Sequence, residues 1–251
     1  MATTITAQEI EETLIEQRDD EKREILMRFF RTAPGEYGEG DEFLGIKVPT
    51  TRAVVKEAKR RVPFAEIEKL LQSRWHEVRL AGFLLLVEEM KAALPVRGKD
   101  SDEKAARRKA IADFYTANAR RANNWDLVDL SAPKVIGAQI YHSATGDYSL
   151  LLRLSESPDL WEQRIAIVST LYLIQNGVLQ PALTLASRLI NHRHDLIHKA
   201  IGWMLREVGK RDKQLLLDYL EANYARLPST SLRYAIERFP EAERLYWLKR
   251  R

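Results

Sequence analysis

The sequence has no cysteine among its 251 residues. That excludes disulfides, cysteine-ligated zinc, iron–sulfur clusters and thiol nucleophiles. It has no apolar run near the ~18 residues that a membrane span needs. Its start, MATTITAQEIEETLIEQRDDEKREI, lacks the basic and apolar segments of a secretory leader, so no signal peptide is expected. A cytoplasmic protein with no membrane partner is the simplest expectation. No series of alternating strands with hairpin turns occurs either. The irregular stretches, 32–44, 94–99, 141–148 and 227–230, are too short to serve as interdomain linkers, so residues 1–251 are expected to form one domain.

What is present is helical periodicity nearly throughout. Ile10, Leu14 and Ile15, then Ile25, Leu26, Phe29 and Phe30, recur at spacings of three and four. Val54, Val55 and Ala58 follow Pro49, and Ile67, Leu70 and Leu71 follow Pro63; proline suits a helix start, where its missing N–H would be unpaired anyway. Four segments align on an alanine: VRLAGFLLL at Ala81, QRIAIVSTL at Ala166, IHKAIGWML at Ala200 and LRYAIERF at Ala235. Each carries a basic or imidazole residue two positions earlier, namely Arg79, Arg164, His198 and Arg233. Ala166 and Ala200 lie 34 residues apart, and Ala200 and Ala235 lie 35 apart. A small residue where paired helices cross is what a stack of helical pairs requires. The expectation is an all-α, HEAT-like helical-repeat solenoid, C-shaped, with basic residues at the repeated position along one wall of a concave groove.

Charge is uneven. Residues 188–251 hold 14 Lys/Arg against 8 Asp/Glu, whereas the first 187 residues hold 26 against 28. With a formal net charge of +4, this basic last quarter suits a surface that grips phosphates. A solvated helical surface is the plainer explanation.

The sharpest local feature is NNWDLVDLSAP, Asn123 to Pro133. Asn123 or Asn124 can cap a helix, and Asp126 then falls in the first turn, where the helix dipole favours an acid. That role accounts for Asp126 completely. Trp125 and Asp129 are four residues apart and share a face. An acid beside an aromatic on one face is neither good core nor an ordinary solvated stripe, so this pair is a candidate site. Trp203 has Lys199 four residues before it and Arg206 three after it, a pattern that fits a nucleic-acid surface or equally a tryptophan covered by the stems of cationic side chains.

Other constellations compete. His194 and His198 stand at a metal-ligand spacing with His192 nearby, but Asp195 replaces the glutamate of the zinc-protease motif. A helix start is the simpler account, and no metal or other cofactor is expected. The run KAARRK at 104–109 is expected to be a solvated face.

WDLVD at 125–129, WEQRIAI at 161–167 and KAIGWMLRE at 199–207 resemble the AlkD-like DNA alkylation-repair glycosylases. YGEGDEFLGIKVPTTR at 37–52 resembles that family's N-terminal signature. The resemblance runs from about Tyr37 to about Arg238. It implies a HEAT-like solenoid that acts, without a cofactor and as a monomer, on duplex DNA containing alkylated purines. The activity implied is excision of positively charged N3- or N7-alkylated purines. By the same resemblance Asp129 falls on the catalytic acid, Trp125 and Trp203 on two cleft tryptophans, and Arg164 on a DNA-contacting arginine. Arg52, Lys199, Arg206 and Arg233 join Arg164 as expected phosphate contacts. Asn124 departs from members that carry a second tryptophan before WD. The chemistry is self-consistent: alkylation makes the base a good leaving group, and a carboxylate with indole faces stabilises the positive charge that develops on the sugar. A non-catalytic binding scaffold and a metal hydrolase built on the histidines are the alternatives.

Overall fold

A computed structural model describes residues 3–250; among them every regular element is a helix, with no strand and two isolated bridges, Glu42 to Trp75 and Val96 to Lys99. No helix among the described residues is long and apolar enough to cross a membrane. The chain divides into two compact units, Met1–Val135 and Ile136–Arg251.

The first unit contains α1 (Ala7–Ile15), α2 (Asp20–Phe29), α3 (Val48–Ala58), α4 (Phe64–Leu71), α5 (His76–Ala93), α6 (Asp102–Ala117), a 3₁₀ turn (Ala119–Arg121) and α7 (Trp125–Ala132). Helix α5 is its axis: α1, α3, α4, α6 and α7 all pack on it. Residues 76–87 are buried on every side, and the run from Leu80 to Val87 is accordingly apolar all round. Gly82 lets α4 approach, since a Cβ there would stand 2.8 Å from the Leu71 side chain. The KAARRK run is a solvated face only in part: Arg107 and Lys109 are exposed, but two of its cations turn inward. Arg108 is buried and donates to the carbonyl of Ala93 at 2.9 Å, and Lys104 donates to that of Leu94 at 3.1 Å. Both cations satisfy carbonyls at the end of α5, where a helix dipole favours positive charge.

Helix α7 ends at Ala132, and a turn of π-helix, Pro133–Gly137, begins at Pro133 and leads across the boundary between the units into α8 (Ala138–His142). There follow α9 (Ser149–Ser155), α10 (Leu160–Gln175), α11 (Gln180–Leu189), α12 (Asp195–Arg211), α13 (Lys213–Asn223), α14 (Ser229–Ala235) and α15 (Glu241–Lys249). Helices α10, α12 and α14 pack in a row, and α9 and α11 pack beside them. The aligned alanines lie in this row, with Ala166, Ala200 and Ala235 all buried. Helices α12 and α14 approach closely at Gly202, where a Cβ would meet Tyr234 Cβ at 2.5 Å.

Residues at the repeated basic position mostly face inward. Arg79 and Arg164 are buried; Arg79 donates to the carbonyls of Ser73 and Arg74 at 2.9 Å, and Arg164 to that of Leu196 at 2.6 Å. His198 Nε2 lies 2.5 Å from the carbonyl of His192. Arg233 is exposed. Arg79, Arg164 and His198 therefore contact backbone carbonyls outside their own helices, which a buried fold must do for unpaired acceptors.

Candidate functional site

Helix α7 is short and its entry is tightly specified. Asn124, fully buried, caps it by accepting the Trp125 N–H at 2.9 Å and donates its amide to Asp41 at 3.3 Å. Asn124 therefore secures the helix entry at the position where the resemblance noted a departure.

Asp126 is more than a first-turn acid. It is buried, and its Oδ2 accepts from His76 Nε2 at 2.9 Å. The other ring nitrogen, His76 Nδ1, lies 2.8 Å from Asp41 Oδ2, and Asp41 also accepts from Arg79. A carboxylate only accepts, so an imidazole held between two of them carries both protons. Burial opposes that charge, but Asp126 and Asp41 outweigh it and raise the His76 pKa to about 9. Burial likewise works against ionised Asp41, and His76 and Arg79 overcome it, holding that carboxyl below its ordinary range. The result is a buried alternating chain, Asp126, His76, Asp41, Arg79, that ties α7 to the start of α5 and to the segment before α3.

Glu77, next in sequence, completes the anchoring. Its buried carboxylate accepts the backbone N–H groups of Leu44, Gly45 and Ile46 at 2.8, 2.9 and 3.0 Å. Gly45 makes the loop possible, because its φ is +88° and a Cβ would stand 2.0 Å from the carbonyl oxygen of Asp19.

Above this polar floor rises a column of rings. His76 stacks on Phe43 at 4.2 Å, Phe43 on Phe30 at 4.9 Å, and Phe30 on Trp125 at 5.1 Å. Phe29 meets Trp125 edge-on at 5.9 Å. Beside the column lies a cavity of about 450 Å³ lined by Leu26, Phe29, Phe30, Phe43, Leu80, Trp125, Asp126, Asp129 and Leu130, among others. Trp125 and Asp129 are half-buried and open onto this one space. The charge of Asp129 also reaches Tyr115, whose hydroxyl sits 2.9 Å from Ser131 Oγ; burial first, and then that carboxylate, push the phenol pKa up.

A second feature of this unit is basic. Arg52, Lys56, Lys59 and Lys91 line a pocket of about 290 Å³ whose only acid is Glu88, 4.0 Å from Lys59. Lys134 lies close enough that partial burial, then Arg52 and Lys91, hold its pKa below the ordinary lysine value, with Glu88 opposing.

In the second unit Trp203 is half-buried on α12. Its flanking cations have acidic neighbours: Lys199 pairs with Asp195 at 2.9 Å, and Arg206 pairs with Glu237. The histidines serve the turn before α12. His192 Nδ1 accepts the His194 N–H at 3.0 Å, His194 Nδ1 accepts that of Leu196 at 3.1 Å, and His192 Nε2 lies 2.8 Å from Gln163 Oε1. Among the described residues no three His, Asp or Glu side chains gather as a metal site.

Sequence reasoning missed His76, Asp41 and Glu77. No local pattern marks them, because their partners lie 31–50 positions away. It also missed Lys91 and Lys134, which join Arg52 only through folding.

No curated protein matches the chain. A solved structure described as a predicted DNA alkylation repair enzyme from Enterococcus faecalis shares the fold, with a TM-score of 0.68 over 89% of this chain and 97% of that chain at 18% sequence identity. The profile of the DNA alkylation repair enzymes matches residues 10–239, a span that includes α7 with its tryptophan and acids and runs through both compact units. The chain belongs to the DNA alkylation repair enzyme family.

Proposed function

We propose that the protein is a DNA N-glycosylase that removes positively charged N3- or N7-alkylated purines from duplex DNA. The observation that carries this reading is the pairing of Trp125 and Asp129 on one half-buried face of α7, beside an apolar cavity. Such a carboxylate is held in a setting of low polarity, where it acts more strongly on developing positive charge than it would in water. As the glycosidic bond lengthens, charge builds at C1′ and the ring oxygen of the sugar. Asp129 stabilises that charge and orients the water that adds to C1′. The indole of Trp125 presents an electron-rich face to the same cation, and Trp203 is assigned the same role.

Binding is assigned to the phosphates, since repair of damage cannot depend on sequence. Arg52 is supported by the lysines around it, a cluster that leaves excess positive charge on one surface. Arg233, Lys199 and Arg206 are further contacts, with the last two exchanging acidic partners for phosphate. Arg164 acts mainly by holding the turn at Leu196 in place. We read both units as parts of one HEAT-like repeat domain, supported by the row of helices α10, α12 and α14 and by a family match that crosses the unit boundary.

The test is base release from duplex DNA containing N7-methylguanine, in EDTA, by the parent protein and by Asp129→Asn. Release by the parent and its loss in the variant support the reading. No release from N3- or N7-methylated DNA, with duplex binding intact, favours a non-catalytic binding protein.

A further inference from the structure

We propose that the basic pocket between α3 and α5 seats one particular backbone phosphate of DNA, a phosphate next to the nucleotide whose sugar faces Asp129. Arg52, Lys56, Lys91 and Lys134 hold its oxygens. This rests on the excision reading above and adds to it which phosphate is gripped and what the grip does for Asp129.

The first observation is charge without a counter-charge. Among the described residues Arg52, Lys56, Lys91 and Lys134 make no ion pair, and the acid of the pocket, Glu88, stands 4.0 Å from Lys59. Other surface cations of this unit have close acidic partners: Lys69 with Glu66, Arg107 with Glu89 and Lys109 with Asp113, each at 2.6 Å. Burial, then Arg52 and Lys91, lower the Lys134 pKa, so like charges crowd here with too little acid to balance them. An anion placed among them relieves that repulsion.

The second observation is the shape. Val55, Leu84 and Val87 are buried and form an apolar floor under the cations. A floor of low polarity strengthens the attraction between cation and phosphate relative to open water. At about 290 Å³ the pocket falls below the roughly 300–1,000 Å³ of small-molecule sites and suits a phosphate group rather than a base.

The third observation is the position. Val48 and Pro49 line the cavity beside Trp125 and Asp129, and Arg52 lies one turn further along α3. Leu130 lines that cavity too, and Lys134 follows it by four residues. Two elements therefore lead from the Asp129 face to the basic pocket, each in about one helical turn, roughly 5.4 Å along the axis. A sugar and its own phosphates are separated on that scale, so a strand with C1′ at Asp129 brings a flanking phosphate to the pocket.

The electrostatics need such a seat. A carboxylate beside C1′ also stands beside the phosphates on either side of that sugar, and like charges repel. Cations one turn away offset that repulsion and fix the sugar relative to Asp129. Holding a reacting atom in place accelerates its reaction beyond what affinity alone gives. Arg52 and Lys134 are positioning residues in this scheme, acting through the phosphate on the alignment of C1′ with Asp129.

The experiment neutralises one phosphate at a time. Duplexes carrying a tetrahydrofuran abasic analogue, which needs no turnover, receive a single uncharged methylphosphonate at each phosphate across the site in turn. Binding to the full-length protein is followed by fluorescence anisotropy at fixed salt. At one phosphate flanking the analogue the parent should lose about tenfold or more in affinity. Arg52→Ala and Lys134→Ala should lose a similar factor on the unmodified duplex and almost nothing further when that phosphate is neutral, while losses at the other phosphates persist. Such non-additivity marks direct contact, and a merely structural role does not produce it. Lys109→Ala, whose cation is paired and lies on α6, should behave as the parent at every position. Losses that add at every flanking phosphate overturn the proposal, as does parent-like affinity in both variants. Inorganic phosphate is titrated in parallel: saturable binding that needs Lys134, without coupling on the duplex, assigns the pocket to a free anion and overturns the DNA seat. Single-turnover excision of N7-methylguanine separates the two readings. Excision by the parent without coupling at a flanking phosphate overturns this inference and leaves the glycosylase reading standing. Coupling at that phosphate without excision of N3- or N7-methylated bases supports the seat and overturns the glycosylase reading.

Discussion

His76 Nε2 stands 2.9 Å from Asp126 Oδ2, which ties the first turn of α5 to the first turn of α7 across 50 residues of sequence. The pair lies under the rings that carry Trp125. It separates the two acids of the WDLVD segment by role: Asp126 belongs to the buried frame, and Asp129 to the open face.

Those roles predict different losses. Asp129→Asn should keep the fold and the affinity for DNA, and excision should fall by about a hundredfold to a thousandfold, the usual cost of one electrostatic group aimed at a transition state. Trp125→Ala and Trp203→Ala should lose less. Asp126→Ala should instead lower stability by about 1–3 kcal/mol, because it leaves the buried His76 Nε2–H without an acceptor while Asp41 still pairs with the other ring nitrogen. Single-turnover excision with urea denaturation of each variant decides between them. If Asp126→Ala keeps full stability, His76 does not depend on it.

Stability should depend on pH at both ends. The raised pKa of His76 contributes stability that is fully present below about 6.5, the unfolded value, and is lost as pH rises through about 9. The lowered pKa of Asp41 contributes stability that is present above 3.8 and is lost as pH falls through its folded value. Urea midpoints measured from pH 3 to pH 10 should fall on both sides of a plateau. His76→Gln should flatten the alkaline limb; an unchanged limb would assign it to other groups.

The loop from Leu44 to Ile46 should tolerate no side chain at Gly45. A Cβ there meets the Asp19 carbonyl, and the backbone lies in the left-handed region. Gly45→Ala is expected to cost about 2–4 kcal/mol. Thermal melts against Gly40→Ala provide the comparison, since Gly40 shares the positive φ but has open space where a Cβ would stand.

DNA affinity should fall with salt, and each phosphate contact removed should reduce the slope of log K against log salt by about 0.9. Arg52→Ala and Lys134→Ala are the first variants to measure. A slope and affinity equal to the parent's in both would exclude the basic pocket of α3 and α5 from the interface.

The helical class, the placement of most helices and the repeat of alanines were legible in the residues, because a spacing of three and four and a small residue at a crossing are local properties. The pairing of Trp125 with Asp129 was legible for the same reason: one turn of helix puts them on one face. The role of Asp126 was not. Its first-turn position is a sufficient local explanation, and only the fold brings His76, Asp41 and Arg79 to it. Arg79 and Arg108 show the same limit, since a cation in a helical sequence has no local mark that distinguishes a solvated side chain from one that caps a buried carbonyl. Periodicity settles what a helix hides from water. Which polar groups are hidden with it, and how they are satisfied, depends on partners dozens of residues away, and the tertiary structure alone supplies them.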